Sequence, residues 1–243
     1  MPFRSAALLA YLHRPTLAPQ GDGRVPRGLP AALIAALTGA VLATPAAAVL
    51  ALAGAALAGA CLAQLMRWHY PHARIGACNA VTILRMALTA SLLAPLAAGQ
   101  GAGWAVAGVA TVALALDGVD GFLARRSGLS SDFGARFDME VDAALALILA
   151  LHAMTGSAIG AEVLVLGIMR YVFVAAGVAH SAFRQPLPPS LLRKAICVLQ
   201  LSALIVLQLP VVSADAAIVV GRIAAGALIW SFGTDAIWLW RHR

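Results

Sequence analysis

Apolar residues in this chain come in long unbroken runs, and polar residues are confined to the short stretches between them. From position 79 onward six such runs follow one another, at about 79–96, 104–124, 134–155, 161–183, 191–209 and 216–240. Each is near the roughly 20 residues that a helix needs to cross a hydrocarbon core. A further apolar stretch over 29–66 is divided at Thr44-Pro45, and its halves predict a helical hairpin. Residues 1–28 mix a short apolar run with Arg4, Arg14, Arg24 and Arg27 and several Pro and Gly, which predicts a cytoplasmic tail. The expected fold is an all-α integral membrane protein: a tail over 1–28, a hairpin and linker over 29–78, and a six-helix transmembrane unit over 79–243, about eight membrane helices in all.

Composition supports that class. Hydrophobic residues make up 62% of the 243 and charged residues 11%, less than half the share usual in soluble domains. A net charge of +7 does not point to nucleic acid here, because the basic residues sit in short loops. Arg67, Arg74, Arg125, Arg126, Arg136, Arg184, Arg193, Lys194, Arg241 and Arg243 occupy every second connection or the tail, whereas 99–103, 156–160 and 210–213 hold no Lys or Arg. The positive-inside rule then predicts cytoplasmic termini, with the connection near residue 128 on the same side. Membrane lipids are the expected surroundings and a bacterial inner membrane the expected location, with a homodimer the expected assembly. Cys61, Cys78 and Cys197 have no paired spacing and read as small packing residues.

That cytoplasmic connection is where the chemistry concentrates. Six of the ten acidic residues lie between Asp117 and Asp142, at the ends of two apolar runs where charge is costly unless it serves a site. On helices, Asp117 and Asp120 stand about 60° apart, and Asp138 and Asp142 about 40° apart, so both pairs can face one another. Four converging carboxylates call for a divalent neutraliser, and an oxygen-only donor set favours Mg²⁺, Mn²⁺ or Ca²⁺ over zinc. Gly121, Ala124 and Gly134 on the same faces leave room for a flat ligand. Asp132 and Glu140 read as bystanders in local salt bridges, since Glu140 points about 200° away from Asp138.

The order Asp117-x-x-Asp120-Gly121-x-x-Ala124-Arg125, eight residues, Gly134-x-x-x-Asp138-x-x-x-Asp142 resembles the signature of the CDP-alcohol phosphotransferases without a mismatch. Asn79-Ala80-Val81-Thr82-x-x-Arg85 is similar to the opening of that family's first core helix, with Cys78 where a proline is often found. The resemblance implies transfer of a substituted phosphoryl group from a CDP-linked donor, usually CDP-diacylglycerol, to a small alcohol or phosphoalcohol, with release of CMP. It further implies that Asp117, Asp120 and Asp138 bind one or two divalent metals, Mg²⁺ or Mn²⁺, with Asp142 able to contribute. Asp142 would be the general base, a role its carboxylate can fill chemically. Asp117, Gly121, Ala124, Arg125 and Gly134 would line the nucleotide pocket.

Arg136, Arg170, Arg184, Arg193 and Lys194 are candidates for a phosphate or acceptor pocket; the alternative for the loop residues is that they fix topology and touch anionic lipid. Asn79 reads equally as a helix cap or a ligand contact. Arg85, inside its span, needs a partner and is expected to pack helices or orient metal ligands. Arg222 is expected to pair with Asp215. Glu162, Asp215 and Asp235 look isolated in the sequence, and the histidines read as interface residues. Two competing readings are a transporter that uses the carboxylates as an ion site and a metal-dependent prenyltransferase. The acids gather at helix ends rather than mid-span, and no second Asp-rich motif follows, so both fit less well.

Overall fold

The computed structural model describes residues 59–60, 77–127, 132–185 and 187–242, with side chains at 77, 120, 122–127, 132 and 184 excluded. The expected tail and nearly all of the expected hairpin lie outside the described residues. Within them the chain is helical, with no strand. In order come α1 (Ala77–Ser91), α2 (Leu93–Ala97), α3 (Trp104–Ser127), α4 (Asp132–Gly156), α5 (Leu164–Ala179), α6 (Leu191–Val206) and α7 (Ala214–Arg241). Short 3-10 turns at Gly160–Val163 and Ser181–Arg184 lead into and out of α5.

The first expected core run is broken into α1 and α2 at Leu92, and the reason is local. Pro95 has no N–H to give the Ser91 carbonyl, and its ring crowds that carbonyl. The helix tightens there, with Leu92 N–H donating to Thr89 O at 3.2 Å and Ser91 Oγ to Leu88 O at 2.6 Å. After α2 the chain reverses through Gly99, whose φ of +69° only glycine adopts cheaply. Gly99 N–H bonds Leu96 O at 3.1 Å and Gln100 N–H bonds Pro95 O at 2.9 Å, the paired bonds of a Schellman cap.

Helix α4 is the central element, packing against α1, α2, α3, α5 and α6, while α7 closes on α5 and α6. Leu145, Ala146, Leu149, Ala150 and Ala153 of α4 are buried with Ala110 and Ala113 of α3, Leu166 of α5, Leu204 of α6 and Leu228 of α7. The alanines and glycines allow close approach. A Cβ on Gly167 would come within 2.9 Å of Leu147 Cα and Ala150 Cβ, so α5 can lie on α4 only with glycine there. Phe173 of α5 meets Phe232 of α7 edge-on at 5.3 Å.

The outer surface is also apolar. Val112, Ile168, Val172, Val198, Leu199, Val219, Ile223, Ile229 and Trp230 are all exposed. Helices that are apolar inside and outside are suited to lipid rather than water. Cys78–Ala97, Gly160–Ala179 and Ala214–Arg241 are each long and apolar enough to cross a membrane, and Trp104–Val119 is a shorter apolar helix. Cys78 is buried as expected of a packing residue, whereas Cys197 is exposed.

Polar side chains buried in this core tie helices together. His152, 0% exposed, bonds Leu92 O at the α1–α2 break through Nε2 at 2.9 Å. Gln208 donates from Nε2 to Leu149 O at 3.0 Å and Leu204 O at 2.8 Å, and Gln200 donates to Leu166 O. In an apolar surround such bonds act as interhelical links.

Candidate active site

Helix α3 carries Asp117 near its C-terminal end and α4 carries Asp138 and Asp142 one turn apart near its start. Packing of α3 on α4 brings Asp117 to Asp138 and Asp142, and the 138/142 spacing places those two on one helix face. One carboxylate oxygen from each of Asp117, Asp138 and Asp142 lies within 4.8 Å of the others. All three side chains are half-buried, about a third exposed, so the cluster opens to one side. Three hard oxygen donors at this separation fit a divalent cation of the Mg²⁺, Mn²⁺ or Ca²⁺ type.

Beneath the carboxylates lies Arg85 of α1, fully buried at 0% exposure. Its Nη1 is 2.8 Å from Asp117 Oδ1 and also bonds Asp138 Oδ1, while Nη2 bonds Asp142 Oδ1. Nε donates to Ala113 O at 3.1 Å, one turn before Asp117 on α3. One guanidinium thus joins three helices through their carboxylates and a backbone carbonyl. The sequence calls for a partner for this arginine but does not say that it is shared among three acids. The bonds from Arg85 reach Oδ1 of Asp117, Asp138 and Asp142.

Around this centre, Gly121 on α3 and Gly134 on α4 flank the acidic cluster along the helices. The backbone of Asp120, Ala124 and Arg125 continues α3, and their side chains lie outside the described residues. Asn79 and Thr82 are buried at 4% and 3% exposure. Asn79 stands inside the first turn of α1, after Ala77 and Cys78, and so does not cap it; Thr82 Oγ1 bonds Cys78 O at 3.1 Å.

The candidate basic residues divide. Arg170 on α5 pairs with Glu140 of α4 at 2.6 Å, so Glu140 faces a neighbouring helix. Arg193 on α6 forms a fork with Asp235 of α7, Nε to Oδ2 and Nη2 to Oδ1 both at 2.8 Å, and Nη1 donates to Pro188 O at 3.2 Å. Arg170 thus ties α5 to α4, and Arg193, near the start of α6, ties that helix to the later part of α7. Arg136 is half-buried near the start of α4 and Lys194 is exposed on α6; the Arg184 side chain is outside the described residues.

Arg222 corrects the sequence expectation. It bonds Glu162, Nε to Oε1 at 3.0 Å and Nη2 to Oε1 at 2.9 Å, not Asp215. Glu162 and Asp235, isolated in the sequence, thus each hold an arginine. A cavity of about 550 Å³ lies at the opposite end of the bundle, between Thr155, Gly156, Gln208 and Pro210. It has no charged lining and takes no part in this site.

The CDP-alcohol phosphatidyltransferase family profile matches residues 76–233, a span that includes Arg85 and every acidic residue of the cluster. Neither a curated protein nor a solved structure matches the chain.

Proposed function

The chain belongs to the CDP-alcohol phosphatidyltransferase family, and on that premise we propose that it transfers a phosphatidyl group from CDP-diacylglycerol to a small alcohol, releasing CMP. The family establishes transfer of a phosphoryl group from a CDP-alcohol in a membrane protein; donor, acceptor and site roles are the reading offered here. The observation that carries it is the half-buried triad of Asp117, Asp138 and Asp142 within 4.8 Å, at the end of an apolar bundle where a lipid donor can enter from the side.

In this reading Asp117, Asp120 and Asp138 hold Mg²⁺ or Mn²⁺, with Asp142 at the edge of the set. When bound, the metal neutralises the donor diphosphate and the charge on departing CMP. Gly121, Ala124, Arg125 and Gly134 make the nucleotide side of the site. Asp142 accepts the proton from the acceptor hydroxyl as that oxygen bonds to the lipid-side phosphorus; the bond from that phosphorus to the CMP oxygen breaks. Positioning and electrostatics supply most of the acceleration in such a displacement. Arg85 fixes the Asp142 carboxylate by a bond that leaves its second oxygen for this work.

Arg170, paired with Glu140, and Arg193, paired with Asp235, are the arginines that would hold an acceptor carrying its own phosphate, which would displace the carboxylate now paired with each. Arg136, Arg184 and Lys194 complete the proposed basic surround. The active site faces the cytoplasm of a bacterial inner membrane on the charge asymmetry of the connections.

The test uses purified protein with CDP-diacylglycerol and a panel of glycerol 3-phosphate, inositol phosphate, choline and serine. CMP release is expected only with Mg²⁺ or Mn²⁺, and fastest with a phosphorylated acceptor. Absence of CMP with every acceptor would overturn the activity; a preference for choline or serine would overturn the basic acceptor pocket alone.

A further inference from the structure

Arg85 is buried deeper than any of the carboxylates it meets, 0% exposed against about a third for each of the three. It enters from α1, a helix that contributes no carboxylate to the cluster. These four side chains together carry a formal charge of −2, three carboxylates and one guanidinium. Without a cation between them the carboxylates repel, and that repulsion acts to separate α3 from α4. Arg85 counters it from below, and its Nε bond to Ala113 O ties α1 to α3 at the same level.

We infer that Arg85 is the built-in counter-cation of the acidic cluster: it holds the carboxylates of α3 and α4 together before metal arrives, and by sharing them it weakens the metal's own hold. The inference rests on reading Asp117, Asp138 and Asp142 as the metal site. Two cations that act on the same carboxylates substitute for each other, so the loss of one raises the value of the other. A packing arginine would have no such link; its removal would cost the same with and without metal. Arg85 is thus a positioning residue, acting on substrate only through the carboxylates it orients. Its consequence is a site that is preformed when empty and exchanges its ion readily.

The experiment follows thermal unfolding of purified protein in EDTA and across a Mn²⁺ titration, with no nucleotide present. Arg85→Met is expected to lower Tm in EDTA by roughly 10 °C, the scale for stranding buried charge in a chain of this length. Saturating Mn²⁺ should recover more than half of that loss, and the Mn²⁺ concentration giving half the shift should fall below that of the unsubstituted protein. Equal losses in EDTA and in Mn²⁺ would overturn the inference. Arg85→Lys, which keeps the charge and loses the fork, should lose less than half as much in EDTA; it carries the same comparison if the Met variant does not fold. Adding Asp138→Asn to Arg85→Met should raise Tm in EDTA by several degrees through relief of repulsion, and no rise would also overturn the inference. If Mn²⁺ fails to shift the Tm of both the unsubstituted protein and Asp138→Asn, the metal reading falls; the single and double variants in EDTA still decide the role of Arg85.

Discussion

Two kinds of arginine site stand in this bundle. At the α1–α3–α4 end one fully buried guanidinium is divided among Asp117, Asp138 and Asp142. Along α5, α6 and α7 three arginines each have a carboxylate of their own: Arg170 with Glu140, Arg193 with Asp235, Arg222 with Glu162. Matched pairs close their charge locally, so a phosphate could reach such an arginine only by displacing its carboxylate. The shared arginine leaves an excess of negative charge, and that excess is what gives a cation a reason to bind. Charge imbalance, more than the presence of charge, separates the candidate catalytic end from the rest.

The contrast can be broken by substitution. Asp142→Asn keeps the shape of the cluster but removes the proposed proton acceptor, so CMP release should fall by about 10²- to 10⁴-fold. CDP-diacylglycerol binding should persist, as radiolabelled donor retained by the purified variant would show. A variant with full activity would remove Asp142 from the chemistry.

Arg193→Ala tests the half-buried matched pair. It strands Asp235, and the loss of its fork should cost about 2 kcal/mol, or roughly 5 °C in Tm. If Arg193 also serves a phosphorylated acceptor, the KM for that acceptor rises with little change in kcat. A change in kcat alone would place Arg193 with the reacting groups and blur the division between the two regions. Arg222→Ala should do least. Its pair with Glu162 is exposed at 65% and 43%, so stability should change by at most about 1 kcal/mol, with activity unaltered; a large loss of CMP release would show that distance from the acidic end does not isolate this pair.

Much of the site was legible because its spacing is local. Asp138 and Asp142, four residues apart, must share a helix face, and the structure brings both to Asp117. The spans were legible for the same kind of reason, since an apolar run of this length has few alternatives to a helix in lipid. Local reasoning misled where partners are remote in sequence. Proximity suggested Asp215 for Arg222, but its partner Glu162 lies 60 residues away across the bundle. Of the two equal readings of Asn79, the cap gives way because α1 starts before it. Pro95 carried a signal for the break at Leu92, but a single apolar run from 79 to 96 concealed it.

By itself, then, the sequence determined which of the described segments are apolar helices, where the acidic residues concentrate, and which of them share a helix face, because helical periodicity is a property of the local backbone. The tertiary structure alone decided who shares charge with whom. Arg85 meets Asp138 and Asp142 across 53 and 57 residues, and no periodicity reaches that far. Packing of α1 against α3 and α4 places one buried cation under three acids, and the physical reason is desolvation: a guanidinium taken fully out of solvent must find its carboxylates wherever the fold brings them.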